Sequence, residues 1–171
     1  MAAPQAQPLQ PQLRYDLTEL ESERLVVLHD RWMPAGSGNI DHLVVAPAGV
    51  FVIDVQHDSG RLERRNLGNL IRSDLRLYVG GTDRTTLLHG VEDRMEVVRE
   101  ALGSTGFDVT VRGVLCFPAA DWGHVASPFK LGNVLVTYPK FLYGLLAKDA
   151  DVETAALQDA ARVLARALPS T

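Results

Sequence analysis

The stretch N-I-D-H-L-V-V-A-P-A-G-V-F-V-I-D-V-Q-H, residues 39–57, decides the fold of this chain. Two runs dense in β-branched residues flank A-P-A-G, in which proline and glycine stand where a tight turn prefers them. The stretch therefore predicts a β-hairpin. Asp41 and Asp54 lie at its two open ends, and Gln56 follows Asp54 by two residues. Because side chains alternate along a strand, Asp54 and Gln56 are predicted to share a face.

The length of the turn decides whether the two aspartates meet. A two-residue loop pairs residue 46 with residue 49 and therefore Asp41 with Asp54, which places both carboxylates on one face. A three-residue loop with Gly49 in a bulge shifts the register by one residue and sends the carboxylates to opposite faces. The sequence leaves both registers open.

Two carboxylates held together at the edge of a sheet repel each other and need a cation. Hard oxygen ligands favour Mg²⁺ or Mn²⁺, and such a metal lowers the pKa of a bound water and steadies a scissile phosphate. The alternative interpretation is that Asp41 and Asp54 end their strands and cap backbone groups. Spacing alone keeps both interpretations open.

The rest of the chain predicts a mixed α/β domain. A strand, L-V-V-L-H-D-R, precedes the hairpin, and G-R-L-E-R-R-N and L-R-L-Y-V extend an antiparallel meander. Apolar residues at helical spacing predict a helix over residues 86–102, and further helices are predicted at P-K-F-L-Y-G-L-L-A and over residues 151–167. V-T-V-R-G-V-L-C-F-P and N-V-L-V-T-Y-P are nearly continuous in apolar character, which indicates a central, parallel pair of strands.

The 171 residues suit a single domain. We expect a disordered tail over residues 1–14, which are rich in proline and glutamine, and one domain over residues 15–168. A short helix is predicted in D-L-T-E-L-E-S-E-R, with Asp16 or Thr18 as its cap. The net charge of −4 argues against a general polyanion binder but allows a local basic patch.

The expected location is the cytoplasm. The first residues show neither the basic region nor the apolar region of a signal peptide, and the apolar runs are too short to span a membrane. Cys116 is the single cysteine and lies in the apolar run V-L-C-F, which predicts a buried, inert thiol.

The segment N-I-D-H-L-V-V-A-P-A-G-V-F-V-I-D-V-Q-H-D-S-G-R-L resembles the core of the NERD (nuclease-related) domain, which belongs to the PD-(D/E)xK nuclease-like superfamily. V-R-G-V-L-C-F-P-A-A-D-W and N-V-L-V-T-Y-P extend the resemblance. It implies a restriction-endonuclease-like mixed sheet, an antiparallel meander plus a parallel pair, flanked by helices. It also implies that Asp41 and Asp54 are the two acidic residues of the motif and hold Mg²⁺ or Mn²⁺. Gln56 then stands where the motif has a lysine. The partner that the resemblance implies is DNA.

Two departures from the family pattern bear on activity. Gln56 cannot supply the positive charge that helps to stabilise a developing phosphate charge, and no Gly-Glu pair is present in the preceding helix to complete the acidic site. Glu23 is the nearest substitute, ahead of Glu19 and Glu21. The expected function is therefore a degenerate NERD-type domain that binds nucleic acid or a protein partner. The alternative is an active Mg²⁺-dependent DNA endonuclease.

Other polar residues carry weaker signals. The arginines of R-L-E-R-R (Arg61, Arg64 and Arg65) can offset anionic charge, or they form a solvated strand face. His42 and His57 flank the aspartates and are candidate transition-metal ligands, or histidines satisfied by the backbone. Trp122 stacks on a base at the rim of a groove, or it covers the end of the core.

Overall fold

The hairpin lies at the centre of a mixed sheet in the computed structural model, which describes residues 10–36, 38–103, 110–124 and 127–170. In spatial order this sheet contains β1 (Val26–Trp32), β2 (Asn39–Ala46), β3 (Gly49–Val55), β7 (Val111–Cys116), β10 (Val134–Thr137) and β9 (Phe129–Leu131). A smaller sheet contains β6 (Thr82–Asp83), β5 (Leu75–Val79), β4 (Gly60–Asn66) and β8 (Ala120–Asp121). The α-helices of the described residues are α1 (Gln10–Glu19), α2 (Thr86–Gly103), α3 (Pro139–Leu146) and α4 (Thr154–Ala167).

The strand directions confirm the predicted mixed sheet. β1, β2 and β3 form an antiparallel meander, whereas β3 pairs with β7, and β7 with β10, in parallel. The predicted parallel pair is thus β7 with β10, and both are covered on two faces, as their continuous apolar sequences indicate.

Every residue of β3 is buried, because helices cover both faces of the sheet. Val50 and Val52 face the cluster that contains the apolar residues of α2 and α4. Phe51 and Ile53 face the opposite cluster, which contains those of α1 and α3. The alternation of side chains along one strand thus divides the core into two layers.

Helix α2 packs directly against β7. The residues predicted from helical spacing form its buried face, which comprises Leu88, Val91, Met95, Val98 and Leu102. Gly113 of β7 permits the approach, since a Cβ atom at this position would overlap the side chains of Met95 and Val91. The close contact brings the first half of α2 over the end of β3.

The N-terminal boundary differs from the prediction. Helix α1 begins at Gln10, and Leu13 and Leu17 are buried, so residues 10–14 belong to the packed domain rather than to a tail. Asp16 and Thr18 lie inside this helix and do not cap it. The two leucines are four residues apart and lie on one side of the helix. Because the rest of the segment is polar, its composition does not indicate this buried side. Residues 1–9 lie outside the described residues.

Candidate functional site

The hairpin adopts the two-residue loop. Ala46 pairs with Gly49 and His42 pairs with Ile53, so the register continues to Asp41 opposite Asp54. Directly opposed residues of an antiparallel pair point to the same face. Both aspartates therefore face α2 and α4, on the side of the sheet that Val52 also occupies.

The two carboxyl groups are in hydrogen-bonding contact. Asp54 is only 8% exposed, and its side chain is hydrogen-bonded to both Asp41 and Gln56. Asp41 is half-buried, and its Oδ2 accepts a hydrogen bond of 3.0 Å from the backbone N–H of Val55. Burial and mutual repulsion disfavour the ionisation of both carboxyls when no cation lies between them.

Burial is the main cause of a raised pKa at Asp54, which moves from 3.8 to about 7. The hydrogen bond to Asp41 and the negative charge of that residue act in the same direction. Arg94 and the hydrogen bond from Gln56 oppose the shift. A divalent metal ion that binds there would therefore have to displace the proton of Asp54.

Arg94 is the residue of this site that sequence reasoning missed. Its Nη1 lies 3.6 Å from Oδ2 of Asp54, and its Nε donates a hydrogen bond of 2.7 Å to the backbone carbonyl of Asn39. A guanidinium from α2 therefore stands against the acidic pair. Its position between Val91 and Met95 on the helix predicts that it borders the buried face, but the sequence does not say which strand lies beneath it.

Gln56 lies on the same face of the sheet as Asp54. Its backbone N–H donates a hydrogen bond of 2.9 Å to the carbonyl of Cys116, which extends the β3–β7 pairing beyond the end of β3. Its side-chain amide contacts Asp54. The neutral amide adds no charge, so the cation that approaches Asp54 comes from Arg94.

Glu23 does not join the acidic pair. It is exposed in the segment between α1 and β1, and its backbone carbonyl accepts a hydrogen bond of 2.7 Å from Nε2 of Gln158. The structure does not bring Glu23 to this site, because its backbone is held against α4. Within the described residues, no group of three or more histidine, cysteine, aspartate or glutamate side chains is arranged to hold a metal ion.

His42 lies on the opposite face and not beside the aspartates as a ligand. Its Nδ1 is 2.8 Å from Nδ1 of His29, and the two rings meet edge to face. Burial and the neighbouring His29 lower the pKa of His42 to about 4. Thr18 of α1 contacts Nε2 of His29 at 3.1 Å, so the pair links α1 to the sheet. His57 is exposed beyond the end of β3.

Trp122 covers one end of the core. Its ring lies 5.2 Å from that of Tyr138 and 6.3 Å from that of Phe129, and its indole nitrogen approaches the carbonyl of Phe117 at 3.5 Å. These contacts favour the structural interpretation of Trp122. Cys116 is buried as expected, and burial raises the pKa of its thiol to about 12.

The arginines of R-L-E-R-R lie on β4 of the smaller sheet. Arg61 pairs with Asp121 at 3.7 Å, and Arg65 pairs with Glu63 at 2.6 Å. Arg64 lies over the ring of Phe129. The two ion pairs therefore partly neutralise the face of β4 that carries Arg61 and Arg65, whereas Arg64 lies on the opposite face with Leu62.

The fold and the acidic hairpin together define a nuclease-like α/β domain. The family model of the nuclease-related domain (NERD) matches residues 10–118, which is more than half of the chain. The chain belongs to the nuclease-related domain family. No curated protein and no solved structure matches it. Among the described helices, none combines the length and the apolar character that crossing a membrane requires.

Proposed function

We propose that this chain is a nucleic-acid-binding domain of the nuclease-related family whose acidic pair no longer serves as a catalytic metal site. One observation carries the proposal: the guanidinium of Arg94 stands 3.6 Å from the Asp54 carboxyl. A fixed cation at this distance offsets the negative charge of the pair and repels a divalent ion.

The hydrogen bonds of the pair support the same conclusion. One oxygen of Asp41 is occupied by the N–H of Val55, and Asp54 is a neutral acid over much of the range below pH 7. Metal binding there must remove the proton of Asp54 and overcome the charge of Arg94.

The distribution of charge supports a nucleic-acid partner. Residues 58–85, which include the smaller sheet apart from β8, contain six arginines and four acidic residues, so this segment carries a net charge of +2. The remainder of the chain therefore carries −6, given the total of −4. Such segregation concentrates attraction to phosphates on one part of an otherwise acidic molecule.

An active phosphodiesterase is the second candidate, and the register of the hairpin favours it. Asp41, Asp54 and Gln56 lie on one face, and Mg²⁺ is often held by only two carboxylates together with water and substrate phosphates. In that case Asp41 and Asp54 would hold the ion, which would supply an activated water. Arg94 then provides the charge that the family's lysine would otherwise supply.

Calorimetry with Mg²⁺ and Mn²⁺, together with a plasmid-nicking assay, tests the proposal. We expect the wild type to bind duplex DNA, to show no metal binding and to leave the plasmid intact. The double variant Arg94→Met/Gln56→Lys removes the competing cation and restores the motif lysine. It should gain metal binding and cleave at least about 10²-fold faster than wild type. Arg99→Met, at another arginine of α2 that pairs with Glu96, is the matched control. It should gain neither metal binding nor cleavage.

Two results would contradict the proposal. Mg²⁺-dependent cleavage by the wild type that disappears in Asp54→Asn would establish the phosphodiesterase instead. A folded wild type that binds neither DNA nor metal would leave the domain as a protein-interaction module.

A further inference from the structure

Strands β4 and β5 and the residues 67–74 that join them form a projection, which we call the arm. The two strands pair from Leu62 opposite Val79 out to Asn66 opposite Leu75. Leu62, Leu77 and Val79 anchor the base of the arm in the core, whereas its outer half carries exposed residues.

The tip of the arm is an ordered turn. The amide oxygen of Asn66 accepts hydrogen bonds from the backbone N–H groups of Gly68 and Asp74, at 3.0 and 2.9 Å. The amide oxygen of Asn69 accepts two more, both 2.9 Å, from Ile71 and the residue after it. A Cβ atom at Gly68 would collide with the backbone on the opposite side of the turn. The tip is thus built to hold one conformation.

This turn presents two adjacent aliphatic side chains to solvent. The exposed fractions of Leu70 and Ile71 are 106% and 97%, and Leu67 beside them is 56% exposed. Single exposed apolar residues are ordinary on a protein surface. Two neighbouring ones, held outward by a hydrogen-bonded turn at the end of a projection, contribute nothing to the core and indicate a partner.

The arginine that directly follows the exposed aliphatic pair favours an anionic partner. Arg65 and Arg76 are directly opposite each other across β4 and β5, and like charges at such positions destabilise a sheet. Arg65 is paired with Glu63, and Arg76 is paired with both Asp74 and Asp83. Arg72 follows the two aliphatic residues and has no ion pair with any described residue.

We propose that the arm is a wedge for duplex DNA: Leu70 and Ile71 insert between base pairs in the minor groove, while the arginines behind them contact phosphates. Small apolar wedges of leucine or isoleucine are known to unstack a base step and bend the duplex, and one or two side chains suffice. The proposal rests on the nucleic-acid-binding function proposed above and assigns its contact surface.

An anionic membrane is the competing partner, and the size of the tip argues against it. Even one whole fatty-acyl chain gives only marginal membrane binding, and two aliphatic side chains bury far less. The arm also starts close to the acidic pair, because β4 begins at Gly60, only four residues after Gln56. The base of the arm therefore follows directly on the strand that carries Asp54.

Fluorescence anisotropy with a short labelled duplex, and energy transfer between dyes at its two ends, test the wedge in the full chain. Leu70→Ser/Ile71→Ser should weaken binding by about tenfold or more and abolish the bend. It should leave the salt dependence of binding unchanged, because every phosphate contact remains. Tyr15→Ser, which removes an aromatic residue 62% exposed on α1, is the matched control and should bind and bend as wild type does.

The outcomes separate this inference from the proposed function. If the double variant binds and bends DNA as the wild type does, the wedge is wrong and the nucleic-acid-binding function stands. If the wild type binds no nucleic acid, both are wrong. Wild-type binding to vesicles of anionic lipid that the double variant loses, without any effect on DNA binding, would assign the arm to a membrane and overturn the wedge.

Discussion

Ionisation of the buried Asp54 carboxyl lowers the free energy of unfolding, so the stability of the protein depends on pH. Its pKa is about 7 in the folded protein, against an ordinary value of 3.8 for the unfolded chain, so the folded state holds the proton more tightly. Between these two values folding takes up a proton, and the free energy of unfolding therefore falls as the pH rises. This loss of stability is absent below about pH 3.8 and complete above about pH 7.

Asp54→Asn should remove this loss of stability. Asparagine keeps a hydrogen-bond donor beside Asp41 but carries no charge to desolvate. The variant should therefore gain stability relative to wild type as the pH rises from 5 to 8, by about 1–3 kcal/mol over that interval. Urea unfolding at the two pH values measures it. Asp159→Asn, on the exposed face of α4, is the control and should show no such dependence. An equal effect of Asp54→Asn at both pH values would contradict the raised pKa.

Part of this site follows from the sequence, and part does not. Alternation along β3 is enough to place Asp54 and Gln56 on one face, because the period of a strand is fixed. The register that brings Asp41 to Asp54 depends on one residue of loop length, which local sequence does not determine. Arg94 reaches the pair through a contact between α2 and the sheet, and that contact depends on helix packing over β7.

At the scale of secondary structure, the hairpin and α2 were predictable because each repeats one strong pattern over many residues. Helix α1 was misplaced because only Leu13 and Leu17 signal its buried face, and polar residues surround them. The two-residue strands β6 and β8 carry no periodicity that a sequence could reveal. They exist because neighbouring strands offer them backbone partners.

The His29–His42 pair makes the contact between α1 and the sheet sensitive to acid. The pKa of His42 is about 4 in the folded protein against an ordinary 6.5, because burial and His29 disfavour its charge. The unfolded state therefore binds the proton first, and stability that is complete above pH 6.5 is lost as the pH falls towards 4. Arg14 lowers this pKa further, whereas Asp41 and Asp30 oppose the shift.

We expect protonation of His42 to destabilise the protein by about 1–3 kcal/mol between pH 7 and 4.5, with α1 the first element to lose protection from hydrogen exchange. Because Asp54 shifts stability in the opposite direction over this range, the comparison is made with Asp54→Asn in every protein. His42→Leu should weaken this dependence, because it removes the buried titrating group. His57→Leu, at an exposed position, should leave it intact. Equal acid sensitivity in all three proteins would show that carboxylates elsewhere control the transition.

At the scale of the whole molecule, segregated charge should make DNA binding strongly dependent on salt. The segment of residues 58–85 carries +2 within a chain of −4, so attraction at the arm is opposed by the rest of the surface. If the arm neutralises about three phosphates, affinity should fall by about 10- to 100-fold between 50 and 200 mM salt. Anisotropy titrations over this range measure the slope.

Arg65→Gln/Arg72→Gln should reduce that slope by about two, because each of these arginines is expected to neutralise one phosphate. Arg162→Gln, on α4 beside Asp159, lies outside the segment and is the control. A slope that the arm variants leave unchanged would place the phosphate contacts on another surface.

The position of β3 also governs the order in which the chain gains structure. Its antiparallel partner β2 is adjacent in sequence, so the β2–β3 hairpin closes locally. Its parallel partner β7 begins only after the arm and the whole of α2, since Val50 pairs with Val111. Such non-local pairing must first overcome the entropy of closing a long loop, which slows folding. The edge of β3 that pairs with β7 is therefore expected to stay unpaired after the hairpin has formed. Until β7 pairs with it, this apolar edge makes the folding chain prone to aggregation.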